Sequence, residues 1–80
     1  MERITEKQLV AMAEWLTETF RKSGRISDGE TIALITPWIY RVWAVRDNAT
    51  GGVRPLDGIG GTRRELWNAG RAMLWAVRGY

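Results

Sequence analysis

Residues 28–46 read DGETIALITPWIYRVWAVR, and the conformation assigned to them decides the fold. Ile32, Leu34, Ile35, Trp38, Ile39, Val42, Trp43 and Val45 cover about half the circumference of a helical wheel, the pattern of a central, well-buried helix. Ser27 and Glu30 stand at the spacing of a capping box, in which two side chains satisfy amides that a helix's first turn leaves open. Pro37 interrupts the stretch; it lacks an amide donor and crowds the preceding turn, so a helix here kinks near Thr36. The expectation is a helix over about 28–46 whose core residues include Trp38, with Trp43 on the rim of its apolar face.

Two further boxes flank this stretch, Thr5-x-x-Gln8 and Thr62-x-x-Glu65. The first opens a helix over about 6–22, with Leu9, Met12, Ala13, Leu16 and Phe20 at helical spacing. Ile4 and Leu9 are placed to staple its start, and Gly24 to end it. The second opens a helix over about 63–78 that buries Leu66, Trp67, Gly70, Met73, Leu74 and Val77. Between the last two segments, residues 47–61 (DNATGGVRPLDGIGG) have no helical period and hold five of the nine glycines. That loop has room for a turn or a pair of strand fragments, and its length marks it as a candidate binding element. The expected fold is therefore all-α, a single three-helix domain over residues 1–80 with a proline-kinked central helix.

The chain has 80 residues, a 45% apolar composition and a formal charge of +3. This suits one small domain, near the size where a second copy or a tight partner often supplements the core. Residues 41–80 carry seven basic and three acidic side chains, so the positive charge lies in the second half. Cysteine and histidine are absent, which removes disulfides, thiolate zinc sites and the commonest metal ligand and proton shuttle. No cofactor is implied. The start, MERITEKQL, is charged and unlike a secretory signal, and no apolar run nears the roughly 20 residues that span a bilayer. The expected compartment is the cytoplasm.

No nucleophile, base and orienting group stand at a spacing that suggests catalysis. Glu14 and Glu18 share a solvated helix face with Lys7 and Arg21, Asp28 and Glu30 fit a first turn, and Asp47 and Asp57 fit turn chemistry. The chain is expected not to be an enzyme. Gly60, Gly61, Thr62 and Arg63 form a candidate anion site, because glycines leading into a helix N-terminus expose amides. The plain reading of the same residues is a loop closing on a capping box, and the P-loop lysine is missing.

WAVR occurs at 43–46 and again at 75–78. The flanks TPWIYRV and NAGRAML differ, so this is no duplication. On a helical wheel Trp75 falls among Arg64, Asn68, Arg71 and Arg78. Tryptophan and arginine dominate interface hot spots, which makes Trp75, Arg71, Arg64, Arg78 and Tyr80 the candidate partner-binding face, with Trp15 on the rim of the first helix either adding to it or forming a second. The plain alternative is that Arg71 merely covers the Trp75 ring. The implied partner is a protein; a homodimer and a modest nucleic-acid contact through the arginine row are the other occupants.

In manner, being short, single-domain, helical and without catalytic apparatus, the chain resembles the small accessory proteins of phages and other mobile elements. These include anti-CRISPR proteins that bind a nucleoprotein effector complex and block it. The resemblance implies a non-enzymatic inhibitor acting in the host cytoplasm. Many anti-CRISPR proteins are acidic DNA mimics, and this basic chain departs from that pattern.

Overall fold

The computed structural model describes residues 3–37, 39–56 and 61–78. The element order is α1 (Glu6–Lys22), β1 (Glu30–Ile35), β2 (Val42–Asp47), β3 (Val53–Pro55) and α2 (Arg63–Arg78). The fold is α+β: two helices and an antiparallel sheet of order β1-β2-β3. The all-α, three-helix expectation is overturned, and with it the purely helical character that was one of the features behind the likeness to phage accessory proteins.

Residues 28–46 are not a helix. They form β1, a connection and β2, paired so that Ile32 faces Val45, Ala33 faces Ala44 and Leu34 faces Trp43. The residue types explain the choice. Thr31, Ile32, Ile35, Val42, Trp43 and Val45 are β-branched or aromatic, and such side chains lose rotamer freedom in a helix but fit a pleated surface. Pro37 lies in the connection between strands, where its missing donor costs nothing. The helical wheel misled because Val42, Trp43, Ala44 and Val45 are all buried; a strand covered on both faces reads as a continuous apolar run, which fits either period. Ile39, expected in the core, is 67% exposed, and Trp38 lies outside the described residues.

The Ser27-x-x-Glu30 match is a turn. The Ser27 amide donates to Glu30 Oε1 at 2.9 Å and the Glu30 amide to the Ser27 carbonyl at 3.1 Å, after which the chain extends. The other two boxes do cap helices. At α1, the Thr5 amide donates to Gln8 Oε1 (2.7 Å) and the Gln8 amide to Thr5 Oγ1 (3.1 Å). The glycine-rich segment opens with a tight turn after β2. Asp47 Oδ1 accepts the Ala49 amide at 2.8 Å, the Gly51 amide donates to the Asp47 carbonyl at 2.8 Å, and Gly51 has φ +76°, a conformation that suits a residue without Cβ. The strand that follows, β3, is three residues long and ends in Pro55, both features that discourage pairing at its outer edge.

Pleating puts Ile32, Trp43 and Val45 on the face turned toward the helices, where they join Leu9, Met12, Leu16 and Phe20 of α1 and Leu66 and Leu74 of α2. Trp43 is fully buried, at the centre of the core and not on its rim, and its Nε1 donates to the Leu66 carbonyl at 2.8 Å. The helices touch directly where Gly70 meets Met12. Among the described residues, no helix is long and apolar enough to cross a membrane.

Helix α1 also protects the outer edge of β1. The Ile32 amide donates to Thr17 Oγ1 at 2.9 Å, and that hydroxyl lies 2.8 Å from the Ala13 carbonyl and 3.3 Å from the Ile32 carbonyl. One turn on, Arg21 donates to the Glu30 carbonyl at 2.7 Å. Backbone groups that would otherwise template another strand are thereby occupied. Thr17→Val keeps the shape but strands the buried Ile32 amide, and should cost about 2 kcal/mol in denaturant unfolding. A loss under about 0.5 kcal/mol would show that the hydroxyl does not hold this edge.

Candidate functional site

The seam between α1 and α2 opens to solvent as a groove, whose members follow from helical spacing. Trp67, Arg71, Leu74, Trp75 and Arg78 recur on one side of α2 at steps of three and four, while Met12 and Trp15 come from the facing side of α1. Together they line a cavity of about 300 Å³, with Met12 and Leu74 contributing buried apolar surface and the three tryptophans contributing aromatic walls. Trp15 and Trp67 meet edge to face, with ring centroids 6.2 Å apart and planes inclined by 63°. Such pairs add about 0.5–1.5 kcal/mol to simple burial, so these rings hold each other in place. The Arg71 guanidinium lies 5.5 Å from the centre of the Trp75 ring, within cation–π range. That stacking covers one ring without burying it. Trp75 remains 54% exposed and Trp15 48%.

A second cavity, of about 370 Å³, adjoins the first and shares Trp15 and Arg78 with it, extending the groove toward the end of α1. Its carboxylate is Glu18, which takes a 2.8 Å ion pair from Lys22. The Lys22 hydrogen bond and charge, with a smaller contribution from Arg78, hold the Glu18 carboxyl below its ordinary range. With Glu18 matched by Lys22, the field at the groove is set by Arg71 and Arg78 and is positive.

The structure thus brings Trp75, Arg71, Arg78 and Trp15 to one groove. Arg64 is exposed at the first turn of α2, two turns before Arg71, and is not among the groove's lining residues. Tyr80 lies outside the described residues. Sequence reasoning assigned Trp67 and Met12 to the core alone and missed that they also face the groove. A residue buried against a neighbouring helix borders whatever opens along that contact, but which sides of the two helices meet is not marked in either helix's own periodicity.

The anion-site candidate has a different outcome. The Thr62 amide donates to Glu65 Oε1 and the Glu65 amide to Thr62 Oγ1, each at 3.1 Å. Hydrogen bonding from the Thr62 backbone, then from its hydroxyl, lowers the Glu65 pKa. The N-terminus of α2 therefore already holds a carboxylate from its own first turn, which an added anion would have to displace. Arg63 Nε stands 3.8 Å from Glu6 Oε2, and Arg41 grips the same carboxylate with both terminal nitrogens. The Arg41 hydrogen bond is the main cause of a lowered Glu6 pKa. Gly60 lies outside the described residues.

Another cavity, of about 630 Å³, runs beside α1 at the β1 edge. Its lining mixes Glu14 and Glu18 with Arg21 and Lys22 and holds no aromatic side chain, so it offers neither a net field nor an anchor. Of the other carboxylates, Glu30 pairs with Arg54 at 3.0 Å and Asp47 caps its turn; Asp57 lies outside the described residues. Among the described residues, no group of three or more acidic side chains is placed to hold a metal ion.

Comparison with protein-family models, with curated proteins and with solved structures finds no match for this chain.

Proposed function

We propose that this chain is a non-enzymatic protein-binding module, an inhibitor or adaptor that grips an acidic protein surface through the α1–α2 groove. One observation carries the reading: Trp15, Trp67 and Trp75 converge with Arg71 and Arg78 on a single concave, apolar-floored surface. Anchors of this kind, in a pocket that excludes water, supply most of the binding energy of specific interfaces. Two half-exposed tryptophans on one small domain are costly to leave in water, and a partner that covers them recovers that cost.

The groove's charge narrows the occupant. Two copies docked face to face would set arginine against arginine across the two-fold axis, so a homodimer through this surface is disfavoured. A nucleic acid would meet Arg71 and Arg78, Lys22 being paired with Glu18, which is a weak phosphate footprint. The groove's aromatic walls and its two arginines specify an acidic protein surface.

Trp75→Ala tests it. The side chain is half-exposed, so the melting temperature should fall by no more than a few degrees, while affinity for a partner recovered from nuclease-treated lysate should drop by about thirtyfold or more, equal to about 2 kcal/mol. Arg71→Ala should weaken the same complex less. Unchanged affinity in Trp75→Ala, or loss of every captured protein on nuclease treatment, would overturn the reading.

A further inference from the structure

We infer that the groove receives an α-helix of the partner, one that carries carboxylates seven residues apart with apolar residues between them. The inference rests on the protein-binding reading above and specifies the shape and chemistry of what binds.

The backbone decides between a helix and an extended segment. Both walls of the groove are helix surfaces, whose main-chain groups are already paired within α1 and α2. An extended peptide gains affinity by adding main-chain hydrogen bonds to a free strand edge, and the residues that line the groove include no strand. Its amides would lie against tryptophan rings without acceptors, an expensive arrangement. A helix arrives with its backbone satisfied and presents only side chains.

Spacing and charge then fix the pattern. Arg71 and Arg78 are seven residues apart on α2, two turns and about 10.5 Å along the axis. Carboxylates at positions i and i+7 of a helix lying along α2 have the same separation. The Arg71 guanidinium lies over the Trp75 ring, 5.5 Å from its centre, so the ring supports it beside the groove, where its forked donors suit a carboxylate. Between the two arginines lie Leu74 and Trp75, with Trp15 opposite, and the 300 Å³ cavity there takes apolar side chains from positions i+3 and i+4. Such a helix would follow the ridges of the α1–α2 pair and add a third member to the helical layer.

The test uses three end-blocked synthetic peptides of fifteen residues in an alanine-rich background. The first has Glu at positions 4 and 11 with Leu and Phe at 7 and 8. The second adds proline at position 9, and the third moves the second Glu to position 9. Fluorescence anisotropy against the full chain should show the first binding at least tenfold more tightly than either variant. Trp75→Ala and Arg78→Glu should each weaken that binding at least tenfold. Equal binding by the proline peptide would overturn the helix, equal binding by the third peptide would overturn the seven-residue register, and no saturable binding by any peptide would overturn both. Displacement of the first peptide by single-stranded oligothymidine of fifteen nucleotides at lower concentration would assign the groove to nucleic acid. In the first three cases the broader reading stands or falls separately, on whether Trp75→Ala loses the nuclease-resistant protein partner.

Discussion

Trp43→Ala should remove about 3–5 kcal/mol of stability, a large share of what a domain of this size has. Among the described residues the side chain is the largest fully buried one, set on the central strand between α1, α2 and the rest of the sheet. Its removal forfeits transfer energy and opens a cavity that two helices and a strand cannot easily close. An 80-residue domain has a total of roughly 4–12 kcal/mol to lose, and each kcal/mol shifts the melting temperature by about 4–8 °C at this size. Trp43→Phe separates packing from hydrogen bonding. It keeps most of the ring but loses the indole donor to the Leu66 carbonyl, so it should cost about 1–2 kcal/mol. Chemical denaturation of the three proteins measures both. A Trp43→Ala loss below about 1 kcal/mol would mean that β2 is not the centre of the core.

That same tryptophan shows what the sequence could and could not disclose. WAVR is a strand at 43–46 and the last turn of a helix at 75–78. Four residues carry too little local preference to choose; their neighbours decide. Around Trp75 the apolar residues recur at three and four, and a true capping box lies one helix length upstream at Thr62 and Glu65. Around Trp43 every residue from Val42 to Val45 is buried, so no period is expressed and only the β-branched content and Pro37 argue for strands. Ser27 and Glu30 tipped that reading the wrong way. A carboxylate reaching back to an amide three residues earlier serves a turn as well as a helix, and Asp28-Gly29 between them is turn chemistry.

The groove was more legible than the fold around it. Both helices that build it carry their own caps and periodicity, so the placement of Trp75, Arg71, Arg78 and Trp15 on exposed helix faces did not depend on the sheet. What the wheel could not give was the seam, because which sides of α1 and α2 meet is set by the strands beneath them. Trp67 and Met12 therefore read as core residues only. The anion candidate turns on a chemical detail: amides leading into a helix N-terminus are open to an anion, but Glu65, three residues after Thr62, already takes the Thr62 amide, as the capping-box reading of these residues has it.

Gly70→Val should destabilise the protein by about 3 kcal/mol, at the upper end of overpacking costs. In an exposed helix, replacing glycine is normally favourable; Gly→Ala gains up to about 1 kcal/mol in propensity. Here a Cβ on residue 70 would lie 2.7 Å from Met12 Cγ and 2.8 Å from its Sδ, both inside contact distance. Met12 is itself fully buried, so making room for a Cβ means giving up its packed position in the core. Either the methionine leaves its rotamer or α1 and α2 separate, and separation would also widen the groove that Trp15 and Trp67 close from the two sides. Gly70→Ala should accordingly lose about 1 kcal/mol despite its better propensity. Met12→Ala supplies the control. Alone it should cost about 2–5 kcal/mol through the cavity it leaves, but in that background Gly70→Ala should turn neutral or stabilising, a coupling of about 1–2 kcal/mol. If Gly70→Ala instead stabilises the unaltered protein, Met12 yields freely, and the close approach of the two helices is not what fixes the groove.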